Sequence, residues 1–247
     1  MVKQNIKIYC QSEKDKPYAN KLANELGLEI ETSDISDNYT YINVSNNELG
    51  IINRTISPNE FKLDLIASVT KIKNSNLKQY PLAKAIGLKN KNCTVYDLTA
   101  GFLKDSIVLA CLGHKVTAVE INPIIFQLIN AANNKLQATP DAPQLEVLHM
   151  DSLAFLKKIN QAPDIIYLDP MFSEENKTAL AKKSMQIIQS IAHNENNDYN
   201  EIIDLAISIA TKKVIVKRPQ KGPYLSGREP NTQVSAKQST RYDIYFK

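Results

Sequence analysis

Five apolar strand patterns, separated by helical patterns, follow one another from Cys93 onward. Strands are predicted at residues 94–96, 116–119, 145–148, 165–168 and 213–216. Strands that alternate with helices are typical of a parallel sheet with crossover helices. The run Ile165–Leu168 shows no polar alternation, which indicates a central strand covered on both faces. The sequence therefore predicts an α/β fold with a Rossmann-like sheet.

The helices and the closing strands of this domain follow from the same periodicity. Helices are predicted at residues 105–112, 123–136, 153–159, 175–191 and 201–210. Residues 240–246 alternate well enough for a closing antiparallel strand, paired with residues 232–235.

The first 60 residues are predicted to form a separate small α+β unit. It contains a strand at residues 7–10, a helix at 17–26 that ends at Gly27, and a hairpin formed by 39–44 and 50–55. Beyond it, Ser57 is predicted to cap a helix that runs through Phe61, Leu65 and Val69, and a short helix is predicted at 81–88. We therefore expect two domains, residues 1–60 and residues 61–247.

The composition is that of an ordinary globular protein, with 43% apolar and 23% charged residues among 247. No apolar run approaches the roughly 20 residues of a membrane-spanning helix, and the N-terminal residues lack a secretory signal pattern. The three cysteines show no CxxC spacing and the three histidines are scattered, so we expect no metal site. We expect a cytoplasmic protein without a membrane partner.

The net charge of +4 is too small to prove a nucleic-acid partner. Basic pairs in the C-terminal half, Lys182–Lys183 and Lys217–Arg218, fit phosphate contacts, and a solvated charged face is the alternative interpretation.

Four consecutive predicted parallel strands end in an acid, namely Asp97, Glu120, Asp151 and Asp169. The carboxyl ends of parallel strands meet at one edge of the sheet, where ligands of such sheets bind. Carboxylates would repel a pyrophosphate, whereas they suit a ligand with hydroxyl, amino and cationic groups. S-adenosyl-L-methionine is such a ligand, and dinucleotides fit less well.

The loop after the first of these strands supplies small residues, Ala100 and Gly101, where a backbone must approach a cofactor closely. Glu120, about 20 residues further on, is placed to accept hydrogen bonds from ribose hydroxyls, or to interact with a helix dipole. Asp151 could accept from an adenine amino group or cap the next helix.

The strand predicted at 165–168 delivers Asp169, Pro170, Met171 and Phe172 into a loop. A carboxylate, a stiffened backbone and an aromatic ring together suit a flat heterocycle that carries an amino group. An ordinary Asp-Pro turn with a ring in the core is the alternative interpretation.

These features resemble class I methyltransferases that act on exocyclic amino groups of bases. From about Asp97 to Tyr245 the chain is similar to the RsmJ family, bacterial enzymes that methylate N2 of a guanine in 16S ribosomal RNA. The segments that carry this resemblance are residues 97–101, Tyr-Leu-Asp-Pro-Met-Phe at 167–172, Lys182-Lys183 with Met185, Val-Lys-Arg-Pro at 216–219 and Arg-Tyr-Asp-Ile-Tyr at 241–245.

The resemblance implies a class I methyltransferase fold, S-adenosyl-L-methionine as cofactor, and 16S rRNA or the small ribosomal subunit as partner. It implies cofactor contacts at Lys104, Asp105, Glu120, Ile121, Asp151, Ser152 and Asp169, beside Asp97, Ala100 and Gly101 of the loop. Residues 71–74, Lys-Ile-Lys-Asn, stand where the family has a basic, glycine-rich stretch.

For catalysis, Asp169 or the Pro170 carbonyl would accept from the guanine amine, and Phe172 would stack on the base. Lys182, Lys183, Lys217 and Arg218 would contact RNA phosphates. Two other functions stay open at this point: an amino methyltransferase acting on DNA adenine or protein, and a nucleic-acid-binding module without catalysis.

Overall fold

The computed structural model describes residues 5–87, 92–170, 186–191, 199–236 and 240–247. They group into two compact units. The first contains the described residues of 5–64, 122–134 and 186–191, and the second contains the remainder. The domain boundary at residue 60 stays a prediction.

The first unit is built on a small sheet with the order β2-β1-β3-β4-β5. Its elements are β1 (Ile6–Tyr9), α1 (Lys16–Leu26), β2 (Ile30–Glu31), β3 (Thr40–Ser45), β4 (Glu48–Ile52) and β5 (Phe61–Lys62). The predicted strand, helix and hairpin are all confirmed. Gly27 ends α1 with a φ of 65°, and Asn46 and Asn47 form the hairpin turn with φ values of 54° and 60°. The buried carboxylate of Asp15 accepts from both turn amides, at 3.0 and 3.1 Å.

The helix predicted to begin at Ser57 is wrong. Residues 61–62 form the edge strand β5, and the next helix starts only at Leu65. The Ser57 hydroxyl accepts from the amide of Asn59 in a local turn, while Glu60 accepts from the Asn43 side chain at 2.8 Å. Because Glu60 is held against β3 and β4, the chain pairs with β4 instead of coiling into a helix.

The second unit holds the larger sheet. Its strands are β6 (Thr94–Asp97), β7 (Lys115–Glu120), β8 (Leu145–His149), β9 (Ile165–Leu168), β10 (Lys213–Pro219), β11 (Thr232–Ala236) and β12 (Thr240–Phe246). Its helices are α2 (Leu65–Lys73), α3 (Pro81–Ile86), α4 (Lys104–Cys111), α6 (Ser152–Lys158) and α7 (Tyr199–Ile209). Helix α5 (Pro123–Gln137) follows β7 in the chain but belongs mostly to the first unit. Residues 186–191 are helical, and the rest of the helix predicted at 175–191 lies outside the described residues.

The seven strands have the order β11-β12-β10-β9-β6-β7-β8. The strands from β10 to β8 are parallel, as predicted, and β12 runs antiparallel between β10 and β11. The α/β class with a parallel sheet is therefore confirmed. β9 and β6 are neighbours at the centre, so the loops that follow them lie side by side.

The two faces of the sheet carry different residues because side chains alternate along each strand. On one face, Ile166, Leu168, Val214 and Val216 pack with residues of α6 and α7 in a buried apolar core. On the other face, Tyr167 is 1% exposed and points toward α4, where its hydroxyl bonds Asp105. Polar side chains lie beside this second face at the carboxyl ends of β6 to β9 and at the start of α4, and we call this edge of the sheet the rim.

Candidate active site

The loop after β6 is organised around Asp97, whose side chain is almost fully buried. Its carboxylate accepts from the Thr99 amide at 3.0 Å, from the Thr99 hydroxyl at 3.3 Å and from the Ser106 hydroxyl at 2.5 Å. Burial raises the pKa of Asp97 from 3.8 to about 6, against the lowering effect of the bonds from Ser106 and Thr99. Asp97 thus holds the loop in place through hydrogen bonds from Thr99 and Ser106. Direct contact of Asp97 with a cofactor stays a prediction.

The small residues of this loop lie against the end of β7. The Ala100 amide donates to the Val119 carbonyl at 3.1 Å, and the Gly101 amide donates to Glu120 Oε2 at 2.9 Å. Gly101 has a φ of 49°, and a Cβ built there would meet only the Thr99 carbonyl, at 4.0 Å. The space beside Gly101 is therefore open to a ligand, and Glu120 at the end of β7 borders it; contacts of the two residues with a cofactor stay predictions.

Leu103 is an unexpected feature of the same loop. It is fully buried and adopts a left-handed conformation with φ 58° directly before α4. Such a conformation costs a branched side chain about 1–3 kcal/mol, and residues that bear this strain cluster at functional sites. With Leu103 in this conformation, the first turn of α4, which carries Lys104 and Asp105, begins at the carboxyl edge of the sheet.

Asp151 and Ser152 join the rim at the end of β8. Asp151 caps α6, since its carboxylate accepts from the Ala154 amide at 2.7 Å. The Ser152 hydroxyl donates to the Leu98 carbonyl at 2.6 Å and ties α6 to the loop after β6. The Ile121 carbonyl accepts from His149 Nε2 at 3.1 Å. These bonds are structural, and cofactor contacts by the three predicted residues stay predictions.

The loop after β9 is tied to the loop after β6 by Thr99. The Thr99 hydroxyl accepts from the Asp169 amide at 2.7 Å, and the Leu98 amide donates to the Tyr167 carbonyl at 3.0 Å. Pro170 is buried, whereas the Asp169 side chain is 36% exposed. Met171 and Phe172 lie outside the described residues. The structure therefore presents the carboxylate of Asp169 at the carboxyl end of the central strands.

Lys217 joins two of the predicted carboxylates. Its Nζ lies 2.9 Å from Asp105 Oδ2 and 2.7 Å from Asp169 Oδ2, and we call these three residues the Asp–Lys–Asp bridge. The Tyr167 hydroxyl donates to the same oxygen of Asp105 at 2.5 Å. Val216 lies opposite Leu168 in the parallel register, which is why the residues that follow them meet.

The electrostatics of the bridge favour a charged lysine. Burial disfavours the ammonium, but the Asp105 and Asp169 carboxylates outweigh burial, so the pKa of Lys217 lies well above its ordinary value. Burial also raises the pKa of Tyr167 well above its usual range, and the same two carboxylates add to this rise. Lys217 is therefore a cation, and Tyr167 a neutral donor, throughout the pH range of ordinary assays.

Sequence reasoning missed Thr99, Ser106, Tyr167 and Tyr242 as parts of this site. Thr99 had a usable signal, because an aspartate side chain commonly bonds the backbone two residues further on. Tyr167 and Tyr242 reach the site only through strand order, which local patterns do not show.

Of the four residues predicted to contact RNA, the structure describes Lys217 and Arg218. Lys182 and Lys183 lie outside the described residues. Arg218 is 3% exposed, and its guanidinium donates to the Pro223 carbonyl at 2.9 and 2.5 Å. Lys217 is engaged in the bridge. RNA contacts by these residues stay predictions.

Two features are absent from the residues that the structure describes. No helix in that part of the chain is long and apolar enough to cross a membrane. Nor does it contain a group of three or more histidine, cysteine or acidic side chains arranged to hold a metal ion.

The donor set of the rim fits S-adenosyl-L-methionine. Glu120 borders the open space beside Gly101, where it can accept from hydroxyl groups, and Asp105 and Asp169 supply negative charge near a cationic ligand. The methyl donor would thus be held by Glu120, the backbone at Gly101 and the carboxylates of Asp105 and Asp169.

Comparisons with known proteins identify the family of this chain. A family of SAM-dependent methyltransferases matches residues 22–247. "Ribosomal RNA small subunit methyltransferase J" of Pseudoalteromonas translucida is 31% identical in an alignment 252 positions long, which covers 97% of each chain. The protein of the same name from Desulfotalea psychrophila is 35% identical over 183 residues, covering 70% of this chain and 67% of its own.

The fold has a close counterpart among solved structures. A SAM-dependent methyltransferase from Neisseria gonorrhoeae superimposes with a TM-score of 0.72 at 23% identity, covering 97% of this chain and 95% of that one. This likeness supports the class I methyltransferase fold. The rim of carboxylates, the fold and the sequence relatives together show that the chain belongs to the SAM-dependent methyltransferases of the small subunit methyltransferase J family.

Proposed function

We propose that this chain methylates the exocyclic N2 of a guanine in 16S rRNA of the small ribosomal subunit. The names of the relatives support an rRNA substrate. The observation that carries the proposal for an amino group is Asp169, a partly exposed carboxylate at the end of the central strand, whose amide and side chain are both fixed. An acceptor held in this way suits the hydrogens of an aromatic amine.

The chemistry needs such an acceptor because the N2 lone pair of guanine is delocalised into the ring. Asp169, with the Pro170 carbonyl, would accept from the amine hydrogens and favour the tetrahedral geometry that frees the lone pair. S-adenosyl-L-methionine supplies the methyl group. The nitrogen would form its bond to the methyl carbon as the carbon–sulfur bond of the bound cofactor breaks, the sulfonium would leave as a neutral thioether, and Asp169 would take the proton that the amine loses.

Most of the rate enhancement in this scheme comes from positioning, which can supply about 7–11 kcal/mol. The base must leave its stack or pair to reach Asp169, at a cost of a few kcal/mol. Phe172 remains our candidate for stacking on the base, and Lys182 and Lys183 for contacts to phosphates.

The test is methyl transfer from labelled cofactor to 30S subunits and to naked 16S RNA, with mass spectrometry of the product nucleosides. The wild type should form N2-methylguanosine, and Asp169→Asn should lower the rate at least about 100-fold because the amide cannot take the proton. Asp141→Asn is the matched control, since Asp141 has a φ of 56°, which asparagine tolerates, and lies away from the rim.

Methylated adenine, or label in protein only, would instead favour an amino methyltransferase with another substrate. Full activity of Asp169→Asn would remove the catalytic role of this residue. Failure to bind the cofactor in calorimetry would favour a binding module without catalysis.

A further inference from the structure

The Asp–Lys–Asp bridge joins three separate elements of the rim. Asp105 lies in the first turn of α4, Asp169 in the loop after β9, and Lys217 on β10. The side chains are 21%, 36% and 27% exposed, so the bridge is partly shielded from water. An ion pair in this setting holds its geometry better than a fully exposed pair does.

The charges in the bridge do not balance. Two carboxylates share one ammonium, and the neighbouring hydroxyls of Tyr167 and Tyr242 are neutral because burial raises the pKa of both. Tyr242 lies opposite Lys217 in the pairing of β10 with β12. Without the ammonium, the two carboxylates would face each other with less positive charge between them, and one of them would gain a proton more easily.

We propose that Lys217 is a positioning residue for methyl transfer: it fixes the carboxylate of Asp169 and compensates the charge of Asp105, so that Asp169 meets the substrate amine ionised and correctly oriented. This role rests on the proposed function of Asp169. It differs from a phosphate contact, because a lysine that bonds two carboxylates at 2.7 and 2.9 Å is directed at the reaction centre.

The physical basis is restriction of the acceptor. The bond from Nζ to Asp169 Oδ2 limits rotation of the carboxylate, while the bond from the Asp169 amide to Thr99 limits its backbone. The second bond of Nζ, to Asp105, anchors the lysine to α4. Small displacements of a group that acts in the reaction can cost about 100-fold in rate.

The test compares Lys217→Met with Lys217→Arg across the pH range, using rRNA methylation with saturating cofactor. In Lys217→Met we expect kcat to fall about 10- to 100-fold, with KM changed less than about threefold. We expect the acid limb of the kcat profile to move to higher pH by roughly one unit or more. Lys217→Arg keeps the charge and should return that limb to its wild-type position.

Lys212→Met is the matched control. Lys212 precedes β10, and its Nζ bonds Asp164 at 3.0 Å, at the opposite end of the strand. The same substitution there should leave the kcat profile unchanged. Adding Asp105→Asn to Lys217→Met should move the acid limb back, because the second negative charge is then gone.

Three results would overturn the proposal. A raised KM for RNA with an unchanged kcat would make Lys217 a phosphate contact. A lower melting temperature with an unmoved acid limb, not rescued by arginine, would make it a structural residue. An acid limb of Lys217→Met that does not move when Asp105→Asn is added would show that Lys217 does not compensate the charge of Asp105.

A second measurement separates this proposal from the proposed function. Carbon-13 NMR of the aspartate carboxyl groups in cofactor-free protein, with Asp169→Asn used for assignment, follows Asp169 directly. Its titration should move to higher pH in Lys217→Met and not in Lys212→Met, and no movement would overturn the proposal. If the wild type forms no N2-methylguanosine, the proposed function fails while this titration still decides the role of Lys217.

Discussion

At the scale of single residues, acids that occupy equivalent places in the sequence do different work. Asp97, Glu120, Asp151 and Asp169 each follow a parallel strand, yet Asp97 is buried under its loop and Asp151 caps a helix. Glu120 and Asp169 border the site instead. Burial and hydrogen-bond partners therefore determine what each carboxylate can do.

The buried Asp97 leads to a prediction about stability and pH. The pKa of Asp97 is raised in the folded protein, from 3.8 to about 6, so the folded state binds the proton more tightly than the unfolded chain. The contribution of Asp97 to stability should fall by roughly 3 kcal/mol as the pH rises from about 4 to about 6. Asp97→Asn should remove this fall, which urea unfolding followed by circular dichroism at several pH values measures.

Asp164→Asn is the control for this experiment because its sign is opposite. Burial raises the pKa of Asp164, but the Thr94 amide and the Lys212 ammonium outweigh burial, so its folded pKa is lowered. Its contribution to stability is present near neutral pH and lost as the pH falls. Equal pH dependence in wild type and Asp97→Asn would show that Asp97 titrates normally.

At the scale of elements, the edge of the smaller sheet depends on a glycine that has an ordinary backbone. A Cβ at Gly50 would lie 2.7 Å from Glu60 Cδ and 2.9 Å from its Cγ. Glu60 occupies this space while it bonds Asn43 and lies 3.6 Å from the ammonium of Lys62. The missing side chain of Gly50 thus creates the place for Glu60.

We therefore expect Gly50→Ala to destabilise the protein by about 1–3 kcal/mol through overpacking. In a Glu60→Ala background the same change should be neutral or slightly stabilising, since alanine is favoured over glycine in a strand. Urea unfolding of the wild type, the two single variants and the double variant gives the coupling free energy between Gly50 and Glu60. The chain has no tryptophan, so unfolding is followed by circular dichroism. Additive effects would show that Glu60 moves away without cost.

The same segment shows how far sequence reasoning reaches. Within the residues that the structure describes, periodicity predicted the succession of strands and helices along the chain from Thr94 to Phe246, because burial of each element repeats at its own period. The helix at Ser57 failed because its capping signals are local, whereas Glu60 is held by Asn43, 17 residues earlier. Lys217 was predicted near the site but with another partner, since only the adjacency of β9 and β10 brings it to Asp169.

At the scale of the whole molecule, the charges are unevenly distributed. Residues 65–87 contain four lysines and no acid. All four, Lys71, Lys73, Lys78 and Lys84, are exposed, and none forms an ion pair with another residue that the structure describes. Lysines elsewhere, such as Lys7, Lys62 and Lys157, lie beside acids. This segment, which we call the lysine segment, suits a polyanion.

We expect the double variant Lys71→Glu, Lys84→Glu to bind 16S RNA more weakly than the wild type. The slope of log affinity against log salt concentration should become shallower by about 0.7 for each phosphate that the variant no longer neutralises. The control is Lys21→Glu with Lys158→Glu, which makes the same charge change at exposed positions outside the lysine segment. Filter binding at several salt concentrations measures both. Equal weakening of RNA binding in the two double variants would mean that only net charge matters.

The place of β12 within the larger sheet has a consequence for synthesis. It fills the gap between β10 and β11 although it is made after both. Until translation has passed Phe246, β10 lacks one neighbour, and a nascent chain displays the backbone groups of Lys213–Pro219 to any other extended peptide. Ribosome stalling just before residue 240 should therefore give a product that depends on chaperones, whereas synthesis of β12 allows the sheet to close.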